Sequence, residues 1–269
     1  RDAYQALLAT RDAVAAVDPV ELQNGEASFE ENKTQAWDRT IGPSENFTEN
    51  MMPALQSYKE HYEAWLSSSN QAIDNAKKSI TDNAERINAA QLARAEYDQM
   101  RTNIDELGIL IEEQLSATLA LDRRQELENA LSLCLNGDRD SYQAYLYQVL
   151  SQDAQSMEEL ATYDQENLDN IAQTGERVRQ AAQIVGTEAE QMLDGFNDHY
   201  EDWRTNSRQV LELSLSAFEE NNLSRKHLAE SEAAFGKMRT MIDELGQMQE
   251  ARAVDDTAVM NKQISSTIT

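Results

Sequence analysis

The sequence predicts an all-α protein of six helices, two long and four short, forming two stacked antiparallel four-helix bundles from an internal duplication. Three observations lead there. First, the chain repeats itself in a fixed register. "RDAYQA" at 1–6 returns as "RDSYQA" at 139–144, "HYEAW" at 61–65 as "HYEDW" at 199–203, and "MRTNIDELG" at 100–108 as "MRTMIDELG" at 238–246, each 138 residues on. No insertion or deletion interrupts that register, which marks a duplicated unit. Fainter echoes agree: "EN" at 31–32, Gln35 and Arg39 answer "DN" at 169–170, Gln173 and Arg177. Second, nine Gly and three Pro are few for 269 residues. The long stretches are built from Ala, Leu, Glu, Gln, Met and Arg, which lose little rotamer freedom in a helix. Third, the apolar residues step by three and four. Leu55, Tyr58, Tyr62, Trp65, Ser69, Ala72 and Ala76 form one stripe, and Leu193, Phe196, Tyr200, Trp203, Ser207, Val210 and Ser214 form its copy. Tyr97, Met100, Ile104, Leu107 and Ile111, with Phe235, Met238, Ile242 and Leu245, continue the pattern. That spacing is the seam of a helical bundle, and the small residues mid-seam let helices approach closely.

The first helix is expected at 1–17, closed by a loop "DPVELQNGE" at 18–26, since Pro19 and Gly25 both resist helix interiors. A second is expected at 26–41, then a turn "IGPSE" at 41–45 that places Pro43 near the start of the next helix. The first long helix runs from about 44 to 119 and would reach roughly 110 Å. A break near 118–124 precedes a short helix at about 122–152. "SQDAQSMEE" at 151–159 and "VGTE" at 185–188 bracket another at 157–184, with Gly186 as stop and Thr187 as N-cap. The second long helix runs from 187 to about 262. Helices of such length need partners along them, because propensity alone is marginal in water. Alternating up and down, the six place both chain ends together. One module takes about 1–65 and 225–269, and the other about 80–220. A domain looped between two membrane spans requires that arrangement, and the opening inside a helical pattern leads us to expect a piece of a longer chain.

Composition excludes several classes. A net charge of −26 repels phosphates and anionic lipid, which argues against nucleic acid as a partner. One cysteine, Cys134 in "ALSLCLNG", allows no internal disulfide and reads as a small buried hydrophobe. Three His and one Cys assemble no zinc set, so neither a metal nor a cofactor is expected. No apolar run reaches the roughly 20 residues of a membrane span. No phosphate loop or Ser–His–Asp arrangement emerges, and the chain does not read as an enzyme.

With this helix order, duplication, the opening "RDAYQALLAT" and the polar tail "MNKQISSTIT", the chain resembles the helical bimodular sensor domains of bacterial methyl-accepting chemotaxis receptors. The resemblance lies in architecture over the whole chain more than in local motif. It implies a periplasmic ligand-binding domain of an inner-membrane receptor, a homodimer, and signalling by helix displacement. Sensor histidine kinases carry similar ectodomains and are the alternative. A ligand-free structural bundle, adhesin-like or spectrin-like, is the alternative of another class. In the chemoreceptor family small organic acids bind within the bundles against Arg side chains, so the resemblance implies an organic acid or other carboxylate here.

The duplication supplies candidate residues. In the module near the termini these are Arg1, Tyr4, Arg39, Tyr62, Trp65 and Arg239. In the other they are Arg139, Tyr142, Arg177, Tyr200, Trp203 and Arg101. Arg offers a rigid fork of donors to a carboxylate, and aromatic walls exclude water around it. The same residues also read as structure. "RD" and the Arg before "IDE" fit ordinary ion pairs, and Trp65 and Trp203 read first as core anchors. His61 and His199 fit hydrogen bonds at the bundle edge. Trp37 corresponds to Gly175 across the duplication, so the two pockets should differ in volume.

Overall fold

The computed structural model describes residues 1–42 and 47–268, with side chains described as far as 263. Among these residues the structure is helical, with no strand. It has six α-helices in chain order: α1 (Asp2–Ala15), α2 (Pro19–Ile41), α3 (Met52–Ala117), α4 (Leu121–Leu150), α5 (Met157–Val185) and α6 (Thr187–Ile268). A short 3-10 turn at Glu49–Met51 leads into α3, and another at Ser151–Asp153 closes α4. The chain divides into two compact units, Arg1–Ile80 with Glu219–Thr269, and Thr81–Phe218.

The first unit builds one core from α1, α2, the first part of α3 and the last part of α6, around Phe29, Tyr58, Trp65 and Met238. Its two long helices run antiparallel: Ser69 on α3 hydrogen-bonds Ser231 on α6 at 2.7 Å, and further along α3 the Ala72 carbonyl accepts from Ser224. The second unit builds its own core from the rest of α3, α4, α5 and the first part of α6, around Tyr97, Met100, Ile104, Leu127, Phe196 and Trp203. Here α5 and α6 are antiparallel, because Arg179 meets Asn197, Tyr200 meets Ile171, Asn167 meets Ser207 and Asp164 meets Arg208. Each unit is thus a four-helix bundle with the expected seam inside. Small residues fall where the helices draw close, with Ser69, Ala72, Ser207 and Val210 fully buried.

The breaks differ from expectation in instructive ways. The loop at 18–26 does not form, and only 16–18 lie outside helices. Pro19 occupies the first helical position, where no backbone donor is missed. Asp18 caps α2 by accepting from Val20 N and Glu21 N at 2.8 and 2.9 Å. Gly25 sits inside α2, where an added Cβ would lie 2.8–2.9 Å from Ala13 backbone and side-chain atoms of α1. The expected turn at 41–45 falls mostly outside the described residues. The long helix begins at Met52 rather than 44, with Pro53 in its first turn. Thr187 is the first residue of α6 rather than its N-cap. Gly186, at φ 109°, serves both helix ends: its N–H reaches Ala182 O and its carbonyl accepts from Glu190 N. α6 extends past 262 to Ile268, and every described side chain from Gln249 onward is exposed. No described helix is long and apolar enough to cross a membrane.

The contact between Gly25 and Ala13 is testable. Alanine ordinarily favours a helix over glycine by about 1 kcal/mol. Here its methyl must displace backbone, an overpacking that costs about 1–3 kcal/mol. Gly25→Ala is expected to lower the melting temperature, and a rise on thermal unfolding would show that the two helices do not cross there.

Candidate functional site

The duplication repeats an ion pair built on a buried carboxylate. Asp2 on α1 and Asp140 on α4 are matching positions, and both carboxylates are buried. Asp2 accepts from Arg39, and Asp140 accepts from Arg177. Arg139 adds a second contact to Asp140 at 2.9 Å. Arg101 forks onto Asp138 at 2.7 and 3.0 Å, and that hydrogen bonding raises its already high pKa. Each of these four arginines therefore meets an aspartate of its own chain. Removing the arginine leaves a buried carboxylate without compensation.

The aromatic candidates divide between core and cavity. Trp65 and Trp203 are fully buried in the two cores. Tyr62 and Tyr200 are tied to the neighbouring short helix in the same way, through hydroxyls that donate to Lys33 O at 2.9 Å and Ile171 O at 3.0 Å. Burial pushes the Tyr62 phenol up to about 12 and raises that of Tyr200. Tyr142 is 57% exposed. His199 pairs with Glu96 at 2.7 Å, and the buried Cys134 thiol faces Ile104 O with its pKa pushed by burial up to about 12. Among the described residues no group of His, Cys, Asp and Glu is placed to hold a metal ion.

The candidate sets are accordingly not gathered into two pockets. Arg1, Tyr4 and Arg239 line one cleft of about 450 Å³ with Phe235, Met238 and Asp243. Tyr62 lines another, of about 360 Å³, with Lys33, Thr34, Trp37 and Leu66. Arg39 and Trp65 line neither. In the second unit, Tyr200 alone of the expected set lines the groove between α5 and α6.

That groove, of about 750 Å³, is the largest of the cavities described. Asn167, Ile171 and Tyr200 form its floor, and Leu168, Arg204, Thr205, Arg208, Gln209 and Glu212 are among its rim. Positions 204, 208 and 212 repeat at four-residue steps and share one face of α6. Apart from Tyr200 and Gln209, its residues are those the two copies do not share. Asn167 stands where the first copy has Phe29, Ile171 where it has Lys33, Arg204 where it has Leu66, and Arg208 where it has Asn70. In the first unit Phe29 packs edge-on against Trp65, and Trp37 lies 4.7 Å from Tyr62. In the second, Asn167 turns its amide to Ala144 O and Ser207. Gly175 replaces Trp37, and a Cβ there would sit 2.7 Å from the Tyr200 hydroxyl. Arg179 stacks over the Tyr200 ring at 4.8 Å.

The groove's cations are loosely held. Arg208 bridges Asp164 and Glu212, and Arg204 meets Glu201 at 2.6 Å. These side chains are well exposed, and such pairs are worth roughly 0–1 kcal/mol each. A ligand can exchange with them far more easily than with the clamp on Asp140. Sequence reasoning misses this site because it tracks the residues kept in both copies. The usable signal is the set of differing pairs, to which Trp37 and Gly175 belong.

Two solved structures share this fold. The TorS sensor domain, in its complex with TorT in the presence of TMAO, superposes with a TM-score of 0.64 at 10% identity, over 91% of this chain and 94% of that one. The sensor domain of the V. parahaemolyticus histidine kinase sensor TorS gives a TM-score of 0.51 at 10% identity, over 90% and 95%. No family model and no curated protein matches the sequence. The chain therefore shares its helical-bundle fold with these sensor domains, one of them that of a histidine kinase.

The geometry makes two outcomes testable. Asp140→Asn removes a buried charge from two guanidiniums and is expected to cost roughly 2–3 kcal/mol, whereas Arg208→Asn should cost less than about 1 kcal/mol. Equal losses in chemical denaturation would erase the distinction between clamp and groove. The second outcome concerns pH. Folding raises the Tyr62 phenol from 10 to about 12 and the Cys134 thiol from 9 to about 12, so the folded state retains protons that the unfolded chain releases. Their stabilisation is complete below pH 9 and is lost as pH climbs to about 12. Tyr62→Phe should make that alkaline decline shallower, measured as the urea midpoint against pH.

Proposed function

We propose that this chain is the extracytoplasmic sensor domain of a transmembrane histidine kinase, that it lies in the periplasm, and that it is not itself an enzyme. The observation that carries this reading is the likeness to TorS sensor domains over nine-tenths of both chains. It favours the kinase output, which the sequence alone ranks second, over the chemoreceptor output. The ligand is a small metabolite bearing a carboxylate, held between bundle helices, and the receptor is a homodimer. A ligand-free spacer fits less well, since a spacer built by duplication has no need for a groove in one copy and rings in the other. The TorS domain was crystallised with TorT, so a protein partner is a second route for the stimulus.

The mechanism rests on helix continuity. α6 carries Tyr200, Arg204 and Arg208 and runs unbroken to Ile268. A ligand that binds two arrangements of α5 against α6 with different affinity shifts the balance between them. The displacement is then carried along α6 toward the membrane.

The full-length receptor in nanodiscs, incubated with ATP, is expected to incorporate acid-labile phosphate on histidine. Incorporation should change several-fold when its stimulus is present. Methylation of glutamates by a chemoreceptor methyltransferase, without phosphate incorporation, would return the chemoreceptor reading. Neither modification would leave the spacer.

A further inference from the structure

We propose that the α5–α6 groove of the second unit is a binding site for a small zwitterion, an α-amino acid or similar molecule carrying one carboxylate and one ammonium. The proposal deepens the sensor reading and rests on it.

Charge decides the class. The groove carries both signs: Arg204, Arg208 and Glu212 line it, and Asp164 reaches Arg208 from α5. Each cation already touches a carboxylate of the chain. A ligand with only anionic groups would take Arg208 from Asp164 and Glu212 and leave two carboxylates unpaired beside it. A wholly cationic ligand would leave Arg208 unpaired in the same way. A zwitterion exchanges in kind. Its carboxylate takes the guanidinium fork of Arg208, and its ammonium lies between the two carboxylates so released, Asp164 and Glu212. No charge is left without a partner.

Shape decides the size and the location. Tyr200, Ile171 and the exposed Leu168 offer an apolar floor and wall for a side chain. The hydroxyl of Tyr200 is engaged by Ile171 O, so what its ring offers a ligand is carbon. A volume of about 750 Å³ admits an amino acid with room for its side chain. The matching place in the first unit is half that volume, and it has Leu66 and Asn70 where the groove has its two arginines. One copy therefore holds the site and the other does not.

The duplication supplies its own test variants, each restoring the residue of the first copy. Arg204→Leu and Arg208→Asn remove the cations from exposed positions, and Asn167→Phe fills the floor. Calorimetric titration of the 269-residue chain with proteinogenic L-amino acids would be run beside succinate and putrescine, which carry charge of one sign. At least one amino acid is expected to bind one-to-one in or below the millimolar range. Arg208→Asn should weaken it roughly tenfold or more, with circular dichroism and melting temperature unchanged. Asn167→Phe should abolish it, and the arginine variants keep the test decisive if Asn167→Phe does not fold. Binding of succinate but no amino acid, sensitive to Arg208→Asn, would overturn the zwitterion and leave a carboxylate ligand standing. Amino-acid binding indifferent to both arginine variants would overturn the site, and so would no binding by any probe. None of these results bears on phosphate incorporation by the full-length receptor, which reports on the kinase reading separately.

Discussion

Two buried indoles set the orientation of the long helices. Trp65 on α3 packs against Phe29 of α2, Tyr62 on its own helix and Phe235 of α6, with ring centroids 5.4–6.2 Å apart. Trp203 on α6 does the same against Tyr97 of α3 and Tyr200. An indole buries more apolar area than most side chains, and truncating one in a core costs roughly 3–5 kcal/mol. Once it points inward, the three-and-four step fixes which neighbours share its face. The next inward residues are Ser69 and Ser207, and both are buried. Only small side chains fit there beside an indole, and their hydroxyls need partners. Ser231 and Asn167 provide them from the facing helices.

Charge obeys the same logic of scarcity. The chain carries 49 acidic residues and 23 Lys and Arg, so most carboxylates must rest in water. Few are buried, and among these Asp2 and Asp140 each meet an arginine from the partner helix of their short pair. The clamp recurs at the same place in both bundles because a buried carboxylate without a counter-charge would be strongly unfavourable. The arginines it uses are thereby committed. Arg39, Arg139 and Arg177 look available in the sequence because burial of the neighbouring aspartate is not visible there.

The helix class, the six-helix order and the inward faces are legible in the sequence because each rests on local chemistry repeated many times. Spacing alone places Tyr58, Trp65, Met100, Ile104, Phe196 and Met238 inward, and all are buried. The breaks are less legible because one residue type serves opposite purposes. Pro19 starts a helix rather than ending one, since its missing N–H falls among donors that are unpaired in any helix's first turn. Gly25 marks a helix crossing rather than a loop, a fact that depends on Ala13, twelve residues earlier. The candidate site is the least legible, because it joins α5 to α6 through side chains whose pairing only the packed bundle reveals.

In a duplicated chain, retention and divergence report different things. Residues kept in both copies answer a demand that both bundles make, and here that demand is packing. Tyr62 and Tyr200 make the same hydroxyl–carbonyl bond, and the two tryptophans fill the same volume. A function present in one bundle must instead be written where the copies part. Phe29 to Asn167, Trp37 to Gly175, Leu66 to Arg204 and Asn70 to Arg208 converge on one stretch of the α5–α6 interface, opening volume and adding polar contacts together. The groove also lies outside the parts that cannot yield. A ligand there would compete only with the exposed pairs on Arg208, since the Asp140 carboxylate and Trp203 are buried. Such a ligand would therefore bias α5 against α6 at a cost set by weak surface pairs, with no need for the bundle to unfold.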